Sequence, residues 1–355
     1  MRVRLEKLRK RLAEYQVDVM LVSKPENIRY LSGFTGSSGV LIVGPRETFL
    51  LTDFCYAEQA RGEAPQCNIC VKRNSDSDEF IAVLRDIGSR TVGFESHFVT
   101  VKDHDELAKK ISGITLKPLA QVVERLRAVK EEEEVACITK AARLGDAAFS
   151  HILPFIKPGV TEKELALELE FFMIKNGAEK VGFDIIVAFG ARSSMPHART
   201  SDEKLYPGEF IKMDFGAVYK GYHADMTRTV ILGRTTKRQR EIYRLVCEAQ
   251  ELALSKISAG QVGKEADEIA RFCIRKAGYD ENFGHNLGHG LGLEIHEIPV
   301  LGPRSEDLLE AGMTFTVEPG IYIPGFGGVR VEDSVVLKKD GVKVLTGSTK
   351  ELLEL

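Results

Sequence analysis

Five stretches in the C-terminal half of the chain set carboxylates and histidines beside glycine-rich turns. In KMDFGAVYKGYHADMTRTV (212–230), Asp214 lies among apolar residues and Asp225 follows eleven positions later. A hairpin centred between Tyr219 and Lys220 places the two carboxylates opposite one another, and a bulge at Gly221 would shift that register by one. Two carboxylates that close repel, so one keeps its proton unless a cation sits between them. The plainer reading is one exposed Asp and one turn Asp.

FGHNLGHGLGLEIHE (283–297) holds His285, His289 and His296 among four glycines, a density that opposes a helix and lets backbone approach a ligand closely. In FTVEPGIYIPG (315–325), Glu318 closes an apolar run and Pro319 ends the strand pairing. In GGVRVEDSVVL (327–337), alternation along one strand puts Arg330 and Glu332 on one face and Val329 and Val331 on the other. An ionised pair facing a core is costly unless something compensates it. In FGARSSMPHART (189–200), His197 lies in a polar loop after the strand FDIIVAF.

Asp214, Asp225, His289, Glu318 and Glu332 together supply four carboxylates and one imidazole. Two divalent cations balance four carboxylates, which a single divalent ion does not. Mostly oxygen donors suit Mn2+ first, with Co2+, Zn2+ or Fe2+ also compatible. A two-metal site of this kind activates water and clamps a tetrahedral intermediate. Cys67 and Cys70 form a lone CxxC with no second pair, a weak signal for zinc or redox chemistry. The glycine-rich run 284–292 matches neither phosphate-binding pattern, GxGxxG or GxxxxGK[ST].

The elements that must carry these residues belong to a chain of 355 residues, long enough for two domains. Its 49 Lys+Arg against 52 Asp+Glu, with no long basic run, oppose a nucleic-acid wrapper. It contains no apolar stretch long enough for a membrane span. The basic start, MRVRLEKLRKRL, lacks a signal peptide's apolar region, and the six scattered cysteines are no disulfide framework. A cytoplasmic location is the expectation.

Leu5, Leu8, Leu12 and Tyr15 recur at helical spacing, so the N-terminus reads as an amphipathic surface helix. Strands are expected at 17–23 and 91–96, a hairpin around Gly44-Pro45 and a helix at 103–111. This mixture predicts an α/β or α+β first domain. Residues 120–135 read as one charged helical stretch and mark the boundary, and Glu131–Glu134 favour a helix N-terminus over an acidic interaction tail. Beyond it, 159–177 matches 260–278 at an offset of 101, pairing Gly159 with Gly260, Lys163 with Lys264, Glu164 with Glu265, Phe171 with Phe272 and Gly177 with Gly278. Each copy reads as a turn, an amphipathic helix and a terminal glycine, preceded by another helix. Two copies this far apart predict a pseudo-symmetric domain with its site at the junction, not a solenoid.

The set MDFGA, HADMTRT, GHGLGLEIHE, VEPGIYIPG and GVRVEDS, with MPHART upstream, resembles the M24 metallopeptidases. It is most similar to the proline-specific branch, Xaa-Pro dipeptidase (prolidase) and aminopeptidase P. NIRYLSGFTGS (27–37) and LTDFCYAEQA (51–60) resemble the creatinase-type N-terminal domain of that branch. Methionine aminopeptidases usually lack that domain. The resemblance implies an α+β protein with a creatinase-like domain over 1–122 and a pseudo-symmetric pita-bread catalytic domain over 123–355. Asp214 matches a ligand of one metal, Asp225 and Glu332 match bridging ligands, and His289 and Glu318 match ligands of the second. Glu318 also matches the proton shuttle, and His197 and His296 match catalytic histidines. His285, Tyr322 and Arg330 match substrate-side positions, and Phe183 and Ile295 fall where the branch walls the proline ring.

The implied reaction is attack of a metal-bridging hydroxide on the Xaa-Pro carbonyl, with Glu318 passing the proton to the proline nitrogen. The implied partners are a proline-containing peptide and a second copy of the chain in a homodimer, with no nucleic acid or membrane. Cys55 stands where relatives often carry Arg, and Ile298, Pro299 and Val300 follow Glu297 where some prolidases carry Arg. Arg29 or Arg61 of a partner subunit could serve instead. Two other readings, a non-catalytic binding protein on the same scaffold and a metal-free creatinase-like amidinohydrolase, both predict missing metal ligands.

Overall fold

Leu5, Leu8 and Leu12 are buried along one side of helix α1 (Arg2–Glu14), while Tyr15 ends the helix and is exposed. The computed structural model describes residues 1–72 and 79–355 and divides them into two units, Met1–Arg127 and Ala128–Leu355. In the first unit, apolar runs form β1 (Val19–Val22), β2 (Val40–Val43), β3 (Thr48–Thr52), β4 (Asn68–Val71), β5 (Thr91–Glu95) and β6 (Thr115–Leu119). They make one mixed sheet in the order β4-β3-β2-β1-β5-β6. β1, β2 and β3 are antiparallel neighbours, and the β2–β3 hairpin turns where Gly44 N donates to Glu47 O at 3.0 Å. β5 runs parallel to both β1 and β6.

Helices α2 (Pro25–Ser32), α3 (Ala57–Glu63), α4 (Glu79–Ile87), α5 (Val101–Lys110) and α6 (Val122–Ala128) complete this unit. Asn27 Nδ2 donates to Glu95 and Glu124 at 2.6 Å each, and Arg127 Nη1 donates to Asn27 Oδ1 at 2.7 Å. These bonds fasten α6 to the first sheet. The first unit ends at Arg127, within this helix. Residues 120–135 are not one helix. Lys130 N donates to Gly312 O and Glu131 is extended, so α7 (Glu132–Ile152) starts afresh with its glutamates in the first turn.

The repeat reappears as paired helices. α8 (Glu162–Lys175) and α10 (Gly263–Lys276) start and stop at the same offset as the sequence match, following α7 and α9 (Lys237–Lys256) respectively. Gly159 and Gly260 enter them at φ +86° and +93°, and Gly177 and Gly278 leave them at +105° and +86°, values that favour glycine. α7 and α8 share a core with β8 (Ile186–Phe189), β9 (Phe210–Phe215) and β12 (Met226–Ile231). α9 and α10 share another with β14 (Glu297–Leu301), β15 (Thr314–Val317), β16 (Gly320–Ile323), β17 (Gly327–Arg330) and β18 (Asp333–Lys338); β13 (Gly288–Gly290) lies between β14 and β15 in a five-stranded sheet edged by β19 (Gly341–Val344), and β16 pairs with β17 in a separate sheet. A small sheet of β7 (Lys180–Val181), β10 (Ala217–Tyr219) and β11 (Tyr222–His223) lies beside the first half. Segregated helices over largely antiparallel sheets make this unit α+β.

Two expected strand features are corrected. The turn is Lys220-Gly221, with φ +49° and +78°, so Asp214 pairs with Thr227 and not with Asp225. The slip is two residues from the expected register, which leaves both carboxylates on one face, whereas a one-residue bulge would have separated them. Residues 327–337 are not one strand. β17 pairs with β16, the chain crosses at Val331–Glu332, and β18 pairs with β15.

That crossing forms a seam against β12. Thr229 Oγ1 donates to Arg330 O at 2.9 Å, Glu332 N donates to Thr227 O at 3.1 Å, and Asp225 N donates to Ser334 Oγ at 2.9 Å. The three links fall two residues apart on each side, so the halves run antiparallel past one another.

Candidate metal centre

Asp214 lies near the end of β9, Asp225 just ahead of β12, His289 in β13, Glu318 just beyond β15, and Glu332 at the crossing between β17 and β18. The first half thus supplies two carboxylates and the second supplies two carboxylates and an imidazole. Ligand atoms of Asp225, His289 and Glu332 lie within 4.8 Å of one another. Glu318 Oε1 lies 3.4 Å and Asp225 Oδ2 3.6 Å from His289 Nε2. Asp214 joins through Arg330, whose Nη2 donates to Asp214 Oδ2 and whose Nε lies 3.9 Å from both Glu318 and Glu332. The structure brings all five expected ligand positions together, with Arg330 beside them.

Small residues and hydroxyls make this convergence physically workable. A Cβ on Gly288 would lie 1.9 Å from Thr316 O, so only glycine allows the strand carrying His289 to approach so closely. Thr316 Oγ1 donates to Glu318 Oε1 at 2.9 Å and accepts from His289 N at 3.1 Å. Thr227 Oγ1 donates to Glu332 Oε2 at 2.6 Å and accepts from Arg330 Nε at 2.9 Å. Sequence reasoning passed over both threonines. Thr316 could have been found by alternation, since it stands two residues before Glu318, but Thr227 needed the seam.

The electrostatics are those of an under-neutralised nest. Burial raises the Asp225 carboxyl well above the usual range, and the charges of Asp214 and Glu318 push it further. Burial and then Asp225 do the same to Glu332. Burial lifts Glu318 to about 7 against the pull of Arg330. Three buried oxygens, Asp214 Oδ1, Asp225 Oδ1 and Glu332 Oε1, have no hydrogen-bond partner. Buried acceptors are ordinarily paired, and a carboxylate oxygen offered to nothing is costly. Divalent cations fit this donor set: they satisfy the orphaned oxygens and cancel the repulsion that holds protons on the carboxyls.

The expected substrate-side residues surround the nest. His285 Nε2 and Arg330 Nη1 meet Tyr322 Oη at 2.8 and 3.0 Å. Burial lowers His285 to about 3 and raises Tyr322 to about 12, so a neutral imidazole faces a phenol that keeps its proton. His296 packs edge-on against His289 at 4.3 Å between ring centroids, and its own ring is exposed. His197 is exposed and lines a cavity of about 520 Å³ with Asp184, Ile185 and Thr200. Phe183 packs against the Gly216 turn, and Ile295 is half-buried beside His296. Val300 and His285 line a second cavity, of about 570 Å³, that includes Arg304.

Two side chains near the site had no place in the sequence reading. Lys130 and Glu297 form a 3.0 Å ion pair with both side chains almost wholly buried, next to His296. Lys212 is buried two residues before Asp214. Cys67 and Cys70 are free thiols, as are the other four cysteines, and burial raises both. Among the described residues no helix is long and apolar enough to cross a membrane.

Comparison with known proteins agrees with this geometry. The model of metallopeptidase family M24 matches residues 136–339, and that of the creatinase/prolidase N-terminal domain matches 4–129. An Xaa-Pro dipeptidase of Pyrococcus horikoshii is 38% identical over 355 residues, 99% of each chain. The structure of an Xaa-Pro dipeptidase from Bacillus anthracis superposes with a TM-score of 0.97 at 43% identity, covering 99% of both chains. That of an X-Pro aminopeptidase from Thermotoga maritima gives 0.91 at 37% identity, covering 96% of this chain and 98% of the other.

Proposed function

We propose that this chain, which belongs to metallopeptidase family M24 and carries its creatinase/prolidase type of N-terminal domain, is a metal-dependent peptidase that hydrolyses the Xaa-Pro bond of dipeptides or peptide N-termini. The observation that carries the reading is the buried cluster of Asp225, His289 and Glu332, in which Asp225 Oδ1 and Glu332 Oε1, like Asp214 Oδ1 nearby, have no hydrogen-bond partner. It occurs in a chain that aligns end to end with Xaa-Pro dipeptidases.

Asp214 and Asp225 would hold one divalent cation, His289 and Glu318 a second, with Asp225 and Glu332 shared between them. Mn2+ is the first candidate, followed by Co2+, Zn2+ and Fe2+. Such a pair supplies Lewis acidity and lowers the pKa of water from about 15.7 toward neutrality. The chain's own residues do the rest. Glu318, held by the Thr316 hydroxyl, accepts the proton of the attacking water and returns it to the proline nitrogen, which must be protonated to leave. His296 and His197 approach the substrate carbonyl from the rim and donate to its developing oxyanion. Phe183 and Ile295 offer apolar surface to the proline ring, which has no amide N–H to recognise. Tyr322, between His285 and Arg330, fixes the guanidinium beside Asp214.

Both alternative scaffolds, a silent binding protein and an amidinohydrolase, require lost carboxylates, and here all four are present. The six free cysteines fit a reducing compartment such as the cytoplasm, and the family resemblance favours a homodimer. The test is hydrolysis of Ala-Pro and Ala-Pro-Ala by purified protein loaded with Mn2+ or Co2+. Cleavage of the first alone marks a dipeptidase and of the second an aminopeptidase. No cleavage of either overturns the reading.

His296→Ala is expected to retain both cations by elemental analysis, while kcat falls by about 100- to 1000-fold, the usual cost of one oxyanion donor. Loss of metal, or an unchanged kcat, would remove His296 from this role.

A further inference from the structure

We propose that Lys212 is a positioning residue for His197: from beneath the site it fixes the backbone turn that presents that imidazole. The proposal rests on the reading of the site given above and assigns the turn's support to a side chain outside the ligand set.

Lysine is rarely buried completely unless its nitrogen is held by partners. Lys212 is 0% exposed in β9, on the same face as Asp214 and one strand step from it. Its Nζ donates to Met195 O at 2.6 Å and to Pro196 O at 3.1 Å. The Tyr322 ring covers it, with the centroid 5.2 Å away. Those carbonyls belong to a turn closed by Ala198 N donating to Met195 O at 3.3 Å. Pro196 and His197 are its two central residues, and proline pre-sets the first of these positions.

Lys212 therefore braces the carbonyls of the first two turn residues. Arg330 Nη1 reaches Pro196 O as well, at 3.2 Å, while its Nη2 binds Asp214. The turn is thus anchored from two sides to the elements that carry the carboxylates. His197 itself is exposed and, among the described residues, its ring makes no hydrogen bond. With no hydrogen bond to hold the ring, the turn's backbone fixes where the side chain leaves the main chain. A neutral amine still carries two N–H groups, one for each carbonyl, although it donates more weakly than an ammonium, so the brace keeps its two donors in either charge state.

A merely structural lysine and a positioning lysine give different double-mutant cycles. In the metal-loaded enzyme, Lys212→Met is expected to lower kcat by about 10- to 100-fold, as small misplacements of a catalytic group do. Metal content should be unchanged and KM nearly so. In a His197→Ala background the same change should cost nothing more. Multiplying losses would overturn the proposal.

A second readout needs no activity. In metal-free protein, hydrogen exchange at the Ala198 amide should quicken in Lys212→Met while amides of β9 keep their protection. Lys212→Gln, which retains a donor, should restore part of it. Unchanged exchange at Ala198 would also overturn the proposal. If the wild-type enzyme cleaves no Xaa-Pro substrate, the functional reading fails, and the exchange experiment still decides whether Lys212 braces the turn.

Discussion

Asp225→Asn should empty the centre of both cations at once. Asp225 groups with His289 and Glu332 of the second half and, with Glu332, is one of the two residues proposed to serve both positions. Outer-shell partners of a metal site already cost about 10- to 100-fold in affinity or activity when removed. Losing a shared ligand should exceed that, on the order of 1000-fold in kcat/KM. Elemental analysis should find less metal than in His296→Ala, and activity should not return at millimolar Mn2+. One cation retained at full occupancy would show that Asp225 does not bridge.

The same variant should behave in the opposite way without metal. The Asp225 carboxyl titrates well above its ordinary value in the fold because burial and neighbouring carboxylates disfavour its charge. A raised acid pKa destabilises the folded state once pH exceeds the unfolded value of about 4, and the cost grows until the folded pKa is passed. Asn carries no charge to penalise. Metal-free Asp225→Asn should therefore melt above metal-free wild type at pH 7, with the gap closing below about pH 4. A lower Tm at pH 7 would contradict the electrostatic account.

Glu318→Gln should leave a folded protein with little turnover, because it removes a proton acceptor and an anionic ligand in one step. General-base residues contribute about 100- to 10,000-fold, and the loss is expected toward the upper end. Burial lifts this carboxyl to about 7 in the metal-free nest, and cations beside it favour the charged form. The acidic limb of wild-type kcat/KM should therefore fall below pH 7 and vanish from the residual activity of the variant. A limb that survives in Glu318→Gln would belong to another group, and retention of normal kcat would dismiss Glu318 as the proton carrier.

What the sequence made legible was the donor set and the duplication, because both are local patterns. Residue types around glycine turns name the chemistry, and the matched helices α8 and α10 follow from periodicity and terminal glycines. Long-range pairing was less visible. The Asp214–Asp225 register depended on which two residues adopt positive φ, and Lys220 is not a residue that announces such a turn. The break at Val331–Glu332 carries no proline or glycine, since it is imposed by pairing with Thr227 across the seam. The break before α7 is hidden in the same way: Lys130 leaves the helix to reach Gly312 and Glu297. Thr227, Lys130 and Lys212 were missed because each acts through a partner 16 or more positions away.

The antiparallel contact of β12 with residues 330–334 has a mechanical corollary. Its donors come from opposite banks, so cation affinity gauges how well the banks are aligned. A slide of one residue would turn Asp225 and Glu332 away from each other, and even a modest shear would stretch the distances between donors. Occupancy by cations in turn rivets the banks together, and a lesion far out on α7 or α9 could weaken catalysis without touching any ligand, by letting that alignment drift.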